Sequence, residues 1–166
     1  AGNVIMNIGF DLEGYQIARN RGIGNYALNL CNAFFRSFPQ NKYFILLWEK
    51  ENINEKFSEY PKDHVSVVVV SQDNTTDKEH AINKFINENG LDIYWDIAPM
   101  IRNGNLFSTR CNKTLYVATV YDLIPYVFKE EFFYDVDHYI HYFRKMLDLN
   151  RYDILFSISD STKKDV

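Results

Sequence analysis

Val4-Ile5-Met6-Asn7-Ile8-Gly9-Phe10 leads, through a polar stretch from Asp11 to Asn20, into Arg21-Gly22-Ile23-Gly24-Asn25-Tyr26 and an amphipathic run that stops before Pro39. The first segment is apolar at nearly every position, the pattern of a strand covered on both faces. In the last, Ile23, Tyr26, Ala27, Leu30, Phe34 and Phe38 recur at steps of three or four. That spacing predicts a helix from about Gly24 to Ser37 with one face on a core. A buried strand passing through a glycine-containing loop into an amphipathic helix is the opening of a strand–helix–strand unit.

The same alternation continues along the chain. Tyr43 to Trp48, Val65 to Val70, Leu91 to Trp95, Leu115 to Tyr121 and Asp153 to Ile158 read as further buried strands. Ala81, Ile82, Phe85 and Ile86 mark a second helix closed by Asn89-Gly90, and Val136, Tyr139, Ile140, Phe143, Met146 and Leu147 mark a third. The segment Asn52 to Asp63 is polar and gives no clear pattern, and Gln72 to Lys78 and Ile101 to Cys111 read as the most mobile loops. Ser159-Asp160-Ser161 offers N-cap residues for a last helix, with Thr162 and Asp165 spaced as a weak capping box. The expectation is a single α/β domain over residues 1–166, a three-layer sandwich around a mainly parallel sheet. A helix starting so near Val166 also suggests that the natural protein continues.

Composition narrows the function classes. A length of 166 residues suits one domain, and 46% hydrophobic residues exclude a disordered chain. A net charge of −4 argues against a general nucleic-acid binder. The apolar runs are too short to cross a bilayer, and the start of the chain lacks the pattern of a secretory signal. Cys31 and Cys111 are the only cysteines, so neither a disulfide scaffold nor a cysteine-based zinc site is expected, and a reducing cytoplasm suits the chain.

Two motifs can carry chemistry. Gly22, Ile23, Gly24 and Asn25 precede a helix whose N-terminal amides and partial positive charge suit a phosphate or carboxylate. No third glycine completes a dinucleotide fingerprint, and no Gly-Lys-Ser/Thr completes a P-loop. The plainer reading is a loop that needs glycine to turn. In Val120-Tyr121-Asp122-Leu123-Ile124-Pro125 a strand ends at a polar pair. There Asp122 can accept hydrogen bonds from ligand hydroxyls or merely hold its loop, and Tyr121 can stack on a sugar ring or merely cover the core. His138 and His141 share a helix face with Asp135 and Asp137 nearby, but a solvated acidic helix start explains them better than a metal site. The aromatic cluster Tyr126, Phe128, Phe132, Phe133 and Tyr134 reads as packing under the third helix in preference to an exposed patch. Cys31 reads as buried filler.

The order of these motifs resembles the N-terminal domain of the retaining family 4 glycosyltransferases of GT-B fold. Gly22-Ile23-Gly24-Asn25-Tyr26-Ala27-Leu28-Asn29-Leu30 resembles that family's glycine-rich loop and first helix. Thr119-Val120-Tyr121-Asp122-Leu123-Ile124-Pro125, with Phe128, resembles the stretch after its fifth strand. Asp153 to Asp165 resembles the strand and helix that close the domain.

The resemblance implies one of two Rossmann-like domains facing across a cleft. This one would bind a saccharide or lipid-linked acceptor, and a C-terminal domain absent from this chain would bind most of the nucleotide-sugar donor. It implies that Gly22, Ile23, Gly24 and Asn25 line the cleft toward the donor phosphates and that Asp122 and Tyr121 lie near the reacting centre. It also implies that no metal or other cofactor is needed and that the isolated domain is inactive. Bacterial surface polysaccharide assembly, at the inner face of the plasma membrane with possible peripheral contact, is the expected setting. The family frequently has histidine where this chain has Tyr121, which donates a hydrogen bond but does not titrate near neutrality. Two other classes stand beside this reading. One is a non-catalytic α/β binding module. The other is a dinucleotide enzyme, for which Glu49 would have to serve as the ribose-binding acid at an approximate spacing.

Overall fold

The computed structural model describes residues 4–70, 77–102, 109–123, 125, 129–132 and 135–165. Six parallel strands form one sheet: β1 (Asn7–Asp11), β2 (Lys42–Leu47), β3 (Val65–Val69), β4 (Ile93–Asp96), β5 (Leu115–Val120) and β6 (Ile154–Ser157). Their spatial order is β3-β2-β1-β4-β5-β6. Among the described residues the helices are α1 (Glu13–Ile17), α2 (Gly22–Ser37), α3 (Lys78–Glu88), α4 (Lys129–Phe132), α5 (Val136–Leu149) and α6 (Asp160–Asp165). Single 3-10 turns occupy Ile53–Lys56 and Pro99–Ile101. This is an α/β, Rossmann-like three-layer fold, and its sheet is parallel throughout.

Two apolar layers hold it together. On one face α2 presses Ala27, Cys31 and Phe35 onto Phe10, Tyr43, Ile45 and Trp95. On the other, Ile82, Phe85 and Ile86 of α3 and Leu149 of α5 cover Leu46, Tyr94, Tyr116 and Ala118. Fully burying each large side chain contributes about 1.5–3 kcal/mol. Cys31 is filler, as expected: it is fully buried, and burial pushes its thiol well up. Gly9 allows the closest approach of the second layer. A Cβ there would stand 2.4 Å from the Leu91 side chain and 3.0 Å from the Phe85 ring. Gly90 ends α3 with φ of 54°, the left-handed turn that favours glycine.

Most expected elements are present, with shifted ends. The first strand starts at Asn7 and not Val4, because its neighbours begin at Lys42 and Ile93; Met6 still meets the Lys42 amide and the Asn41 side chain, and Val4 and Ile5 lie beyond the sheet. Val4 and Ile5 are accordingly exposed. Leu91 closes α3 onto the Ile86 carbonyl instead of opening β4. The stretch Asp11 to Asn20, read as a long connection, contains α1, and the patternless segment near Asn52 contains a 3-10 turn anchored by buried Ile53. Lys78 and Ile101, assigned to mobile loops, begin α3 and close a 3-10 turn. The rest of those two loops falls largely outside the described residues, as do Tyr126, Phe128, Phe133 and Tyr134 and the side chain of Phe132.

Candidate functional site

The strand order reverses between β1 and β4, and in sheets of this kind the crevice outside the C-terminal ends of the strands at such a switch point is the usual ligand position. Two acids close those strands in register: Asp11 stands opposite Asp96, and both are fully buried. Between them lies Arg102, only 1% exposed, from the segment after β4. Its guanidinium pairs with Asp11, lies 3.0 Å from Glu13 and 3.5 Å from Asp96. Asp11 also accepts from Tyr94 Oη at 2.5 Å, Trp48 Nε1 at 2.9 Å and the Glu13 amide at 3.1 Å. Asp96 accepts from Tyr152 Oη at 2.7 Å and the Ala98 amide at 3.2 Å. Lys78, at the start of α3, pairs with the other oxygen of Glu13 and sits over the Trp48 ring.

The charge states follow from these contacts. Burial alone would raise the Asp11 carboxyl, but the Arg102 guanidinium and the Tyr94 hydroxyl outweigh it and hold Asp11 below the usual carboxylate range. Asp96 has fewer donors. Burial raises it to about 6, with Arg102 opposing and the Asp11 charge adding to the rise. Burial and the neighbouring Asp11 charge push the Tyr94 hydroxyl well up, and burial with Asp96 does the same to Tyr152. At neutral pH Asp11 is therefore ionised and both phenols keep their protons.

The cluster fixes the loops around the crevice. α1 is stapled to the end of β2: Gln16 accepts from the Trp48 amide at 2.7 Å and donates to the Glu49 carbonyl at 2.8 Å. Tyr15 donates to Glu51 at 3.1 Å. Gly14 lies so close to Ala98 that a Cβ would meet its methyl at 2.4 Å. The carboxylate of Glu49 pairs with Arg19 at 3.4 Å.

The glycine motif forms the first turn of α2, and neither glycine has positive φ. The reading that both let the chain turn is therefore corrected. Gly24 is required by close approach, since a Cβ would lie 2.6 Å from the Arg19 carbonyl oxygen and 2.8 Å from that of Ala18. Gly22 faces open space. Among the described residues the amides of Gly22 and Ile23 have no backbone or side-chain acceptor, so they are available to an anionic oxygen. Gly22 and Asn25 are exposed and Ile23 is half-buried.

Tyr121, just past β5, meets this turn: its ring packs edge-on against Tyr26 at 5.3 Å. Its carbonyl accepts from the Thr162 hydroxyl at 2.8 Å, while Ser159 caps α6 by accepting from the Thr162 amide at 3.1 Å. The glycine turn, the end of β5 and the start of α6 are thus gathered at one edge of the sheet. The Tyr121 hydroxyl is buried, with no hydrogen-bond partner among the described residues, and burial pushes it far above its ordinary range. Asp122 is exposed. Its charge reaches α5, where burial and Asp122 together push the Tyr142 hydroxyl up to about 12. An open depression of about 500 Å³ adjoins this edge, lined by Phe156, Ile158, Ser159, Asp160 and Lys163 among others.

Asp11, Glu13, Asp96 and Arg102 were not singled out from the sequence. The available signal was an acid ending each of two apolar runs. Among the described residues, no group of three or more histidine, cysteine or acidic side chains is arranged to hold a metal, and no described helix is long and apolar enough to cross a membrane. No known family profile, curated protein or solved structure matches the chain.

Proposed function

We propose that this chain is the acceptor-side domain of a retaining glycosyltransferase, acting with a second domain that holds most of a nucleotide-sugar donor. The carrying observation is the meeting of three sequence-distant motifs at the C-terminal edge of the sheet: the α2 glycine turn, Tyr121-Asp122 and the Ser159 cap. Glycosyl transfer builds negative charge on a departing diphosphate, so it needs oriented donors more than proton transfer. The amides of Gly22 and Ile23 are such donors. Asp122, exposed just past β5 and next to Tyr121 in the chain, is the group suited to accept from sugar hydroxyls. The half-exposed Phe156 ring in the adjoining depression offers a stacking face for an acceptor sugar. Cytoplasmic work at a membrane surface, on saccharide or lipid-linked acceptors of surface polysaccharide, is the setting this reading carries.

One observation favours a second reading, a non-catalytic binding module. The Tyr121 hydroxyl, at the family's histidine position, is buried and held protonated, so this site lacks that titratable group. Amide chemical-shift mapping against an oligosaccharide panel, a nucleotide sugar and reduced nicotinamide nucleotide tests both. The glycosyltransferase reading expects saturable saccharide binding that shifts the Gly22–Asn25 and Tyr121–Asp122 amides, and no turnover of nucleotide sugar by the chain alone. Tight dinucleotide binding overturns it. Anion binding at Gly22–Asn25 with no saccharide response leaves the binding module.

A further inference from the structure

We propose that two copies of this chain associate through α5, running antiparallel about a twofold axis. Val136, Ile140, Phe143 and Leu147 are separated by four, three and four residues and are 70%, 39%, 41% and 52% exposed. Lys145 and Leu149, on the other side of the helix, are buried, Leu149 in the apolar layer that covers the sheet. The helix therefore has a second apolar stripe in addition to the face it buries. Its steps average about 3.7 residues, close to one helical turn, so the four side chains line a single face on which a second helix can seat.

Charge identifies the occupant. Asp137 and Arg144 are both exposed, and each follows a stripe residue by one position, so both flank the stripe on the same side. In an antiparallel pair, Asp137 of one copy faces Arg144 of the other, and the twofold axis makes that contact twice. A parallel pair brings no such opposition. An anionic bilayer is disfavoured, because the near end of the stripe carries Asp135, Asp137, Glu130 and Glu131. A helix of 14 residues is about 21 Å long. Two such faces bury an interface at the small end of the range, the class of weak, concentration-dependent association.

Sedimentation velocity across the micromolar range tests this with the chain as it is. The wild type is expected to pass from monomer to dimer with rising concentration. Asp137→Arg and Arg144→Asp should each weaken association about tenfold or more, and the double charge swap should restore it. Ile140→Glu should leave a monomer with unchanged circular dichroism and melting temperature, since the side chain is exposed. A wild type that stays monomeric overturns the proposal. So do single reversals without effect, or a double swap that fails to recover. Stripe-dependent flotation with phosphatidylcholine–phosphatidylglycerol vesicles, without dimerisation, assigns the face to a membrane instead.

Discussion

Replacing Arg102 by methionine tests the idea that the base of the crevice is held by a buried ionic cluster. The substitution keeps most of the side-chain volume, so cavity formation contributes little. It removes one cation that is 1% exposed and leaves Asp11 and Asp96, both fully buried, and Glu13 at 5%. Glu13 retains Lys78, and Asp11 retains its bonds from Tyr94, Trp48 and the Glu13 amide, so these groups are not stripped bare. Breaking a buried pair in this way costs about 3–5 kcal/mol, a third or more of a typical domain's stability. The loss depends on pH with a definite sign. Without the guanidinium, the folded-state carboxyls of Asp11 and Asp96 rise, so the folded protein binds protons more tightly than the unfolded chain. The lost stability is then largest above neutrality and is regained as pH falls toward the unfolded carboxyl value near 4. Urea unfolding is the assay, followed by tryptophan fluorescence because Trp48 touches the cluster directly. With a urea slope of about 2 kcal/mol/M, the midpoint at pH 7.5 should fall by about 1.5–2.5 M, and by clearly less at pH 5. A fall under about 0.5 M, or an equal fall at both pH values, refutes the reasoning.

Three other outcomes follow from named contacts. Gly24→Ala forces a Cβ onto two backbone carbonyls and should destabilise by about 1–3 kcal/mol, whereas Gly22→Ala, in open space, should change stability by less than about 0.5 kcal/mol; paired thermal melts separate them. Asp96, raised from 3.8 to about 6 by burial, should make the wild type lose about 2 kcal/mol between pH 4.5 and 7.5 as it ionises in the folded state. Asp96→Asn should remove that component of the pH profile, and an unchanged slope would assign it elsewhere. Tyr121→Phe removes a hydroxyl with no described partner, so stability should hold or rise by up to about 1 kcal/mol; a loss above that in chemical denaturation would reveal a bond to this hydroxyl.

The sheet was readable because its signal is local. Tyr43 to Leu47 are apolar at consecutive positions, the pattern of a strand covered on both faces, and the four valines of Val65 to Val69 mark a strand as plainly although that edge strand buries only Val65. The helices α2, α3 and α5 announced themselves by spacing and the cap at Ser159 by residue type, whereas Asp77, read as part of a loop, and Asp135, read as part of an acidic helix start, turned out to be caps. The glycine turn and Tyr121 were also legible, but as separate motifs. Nothing in the sequence said that Tyr26 and Tyr121 would touch, because that contact depends on β1 and β5 flanking β4. The ionic cluster was hidden for the same reason. Asp11 and Arg102 are 91 residues apart in the chain, and Arg102 follows an apolar turn in what reads as a loop. Its burial is a property of the topology and not of its neighbours in sequence. The glycines misled in the opposite direction: Gly24 looks like a turn residue, and only the carbonyls of Ala18 and Arg19 reveal that space, not φ, excludes a side chain.

The distribution of cations at the crevice bears on what this chain can hold. Arg102 is sealed between Asp11, Asp96 and Glu13, Lys78 is committed to Glu13, and Arg19 lies 3.2 Å from Glu51. Each stands near the C-terminal ends of the strands, yet each is engaged by at least one carboxylate. Drawing Arg102 onto a phosphate would leave two fully buried acids without their shared cation, a penalty of several kcal/mol that a single phosphate contact does not offset. An anion at α2 therefore meets the amides of Gly22 and Ile23 and the exposed Arg21 beside them, a modest site worth a fraction of the binding that a diphosphate needs. The cluster then acts as scaffold: it ties the residues that directly follow β1 and β4 together, and in the proposed role it leaves recognition to other groups. That division suits the proposed acceptor-side role, in which the charge of the donor is held elsewhere, and it makes Arg102 a residue whose loss should appear in stability before it appears in ligand binding.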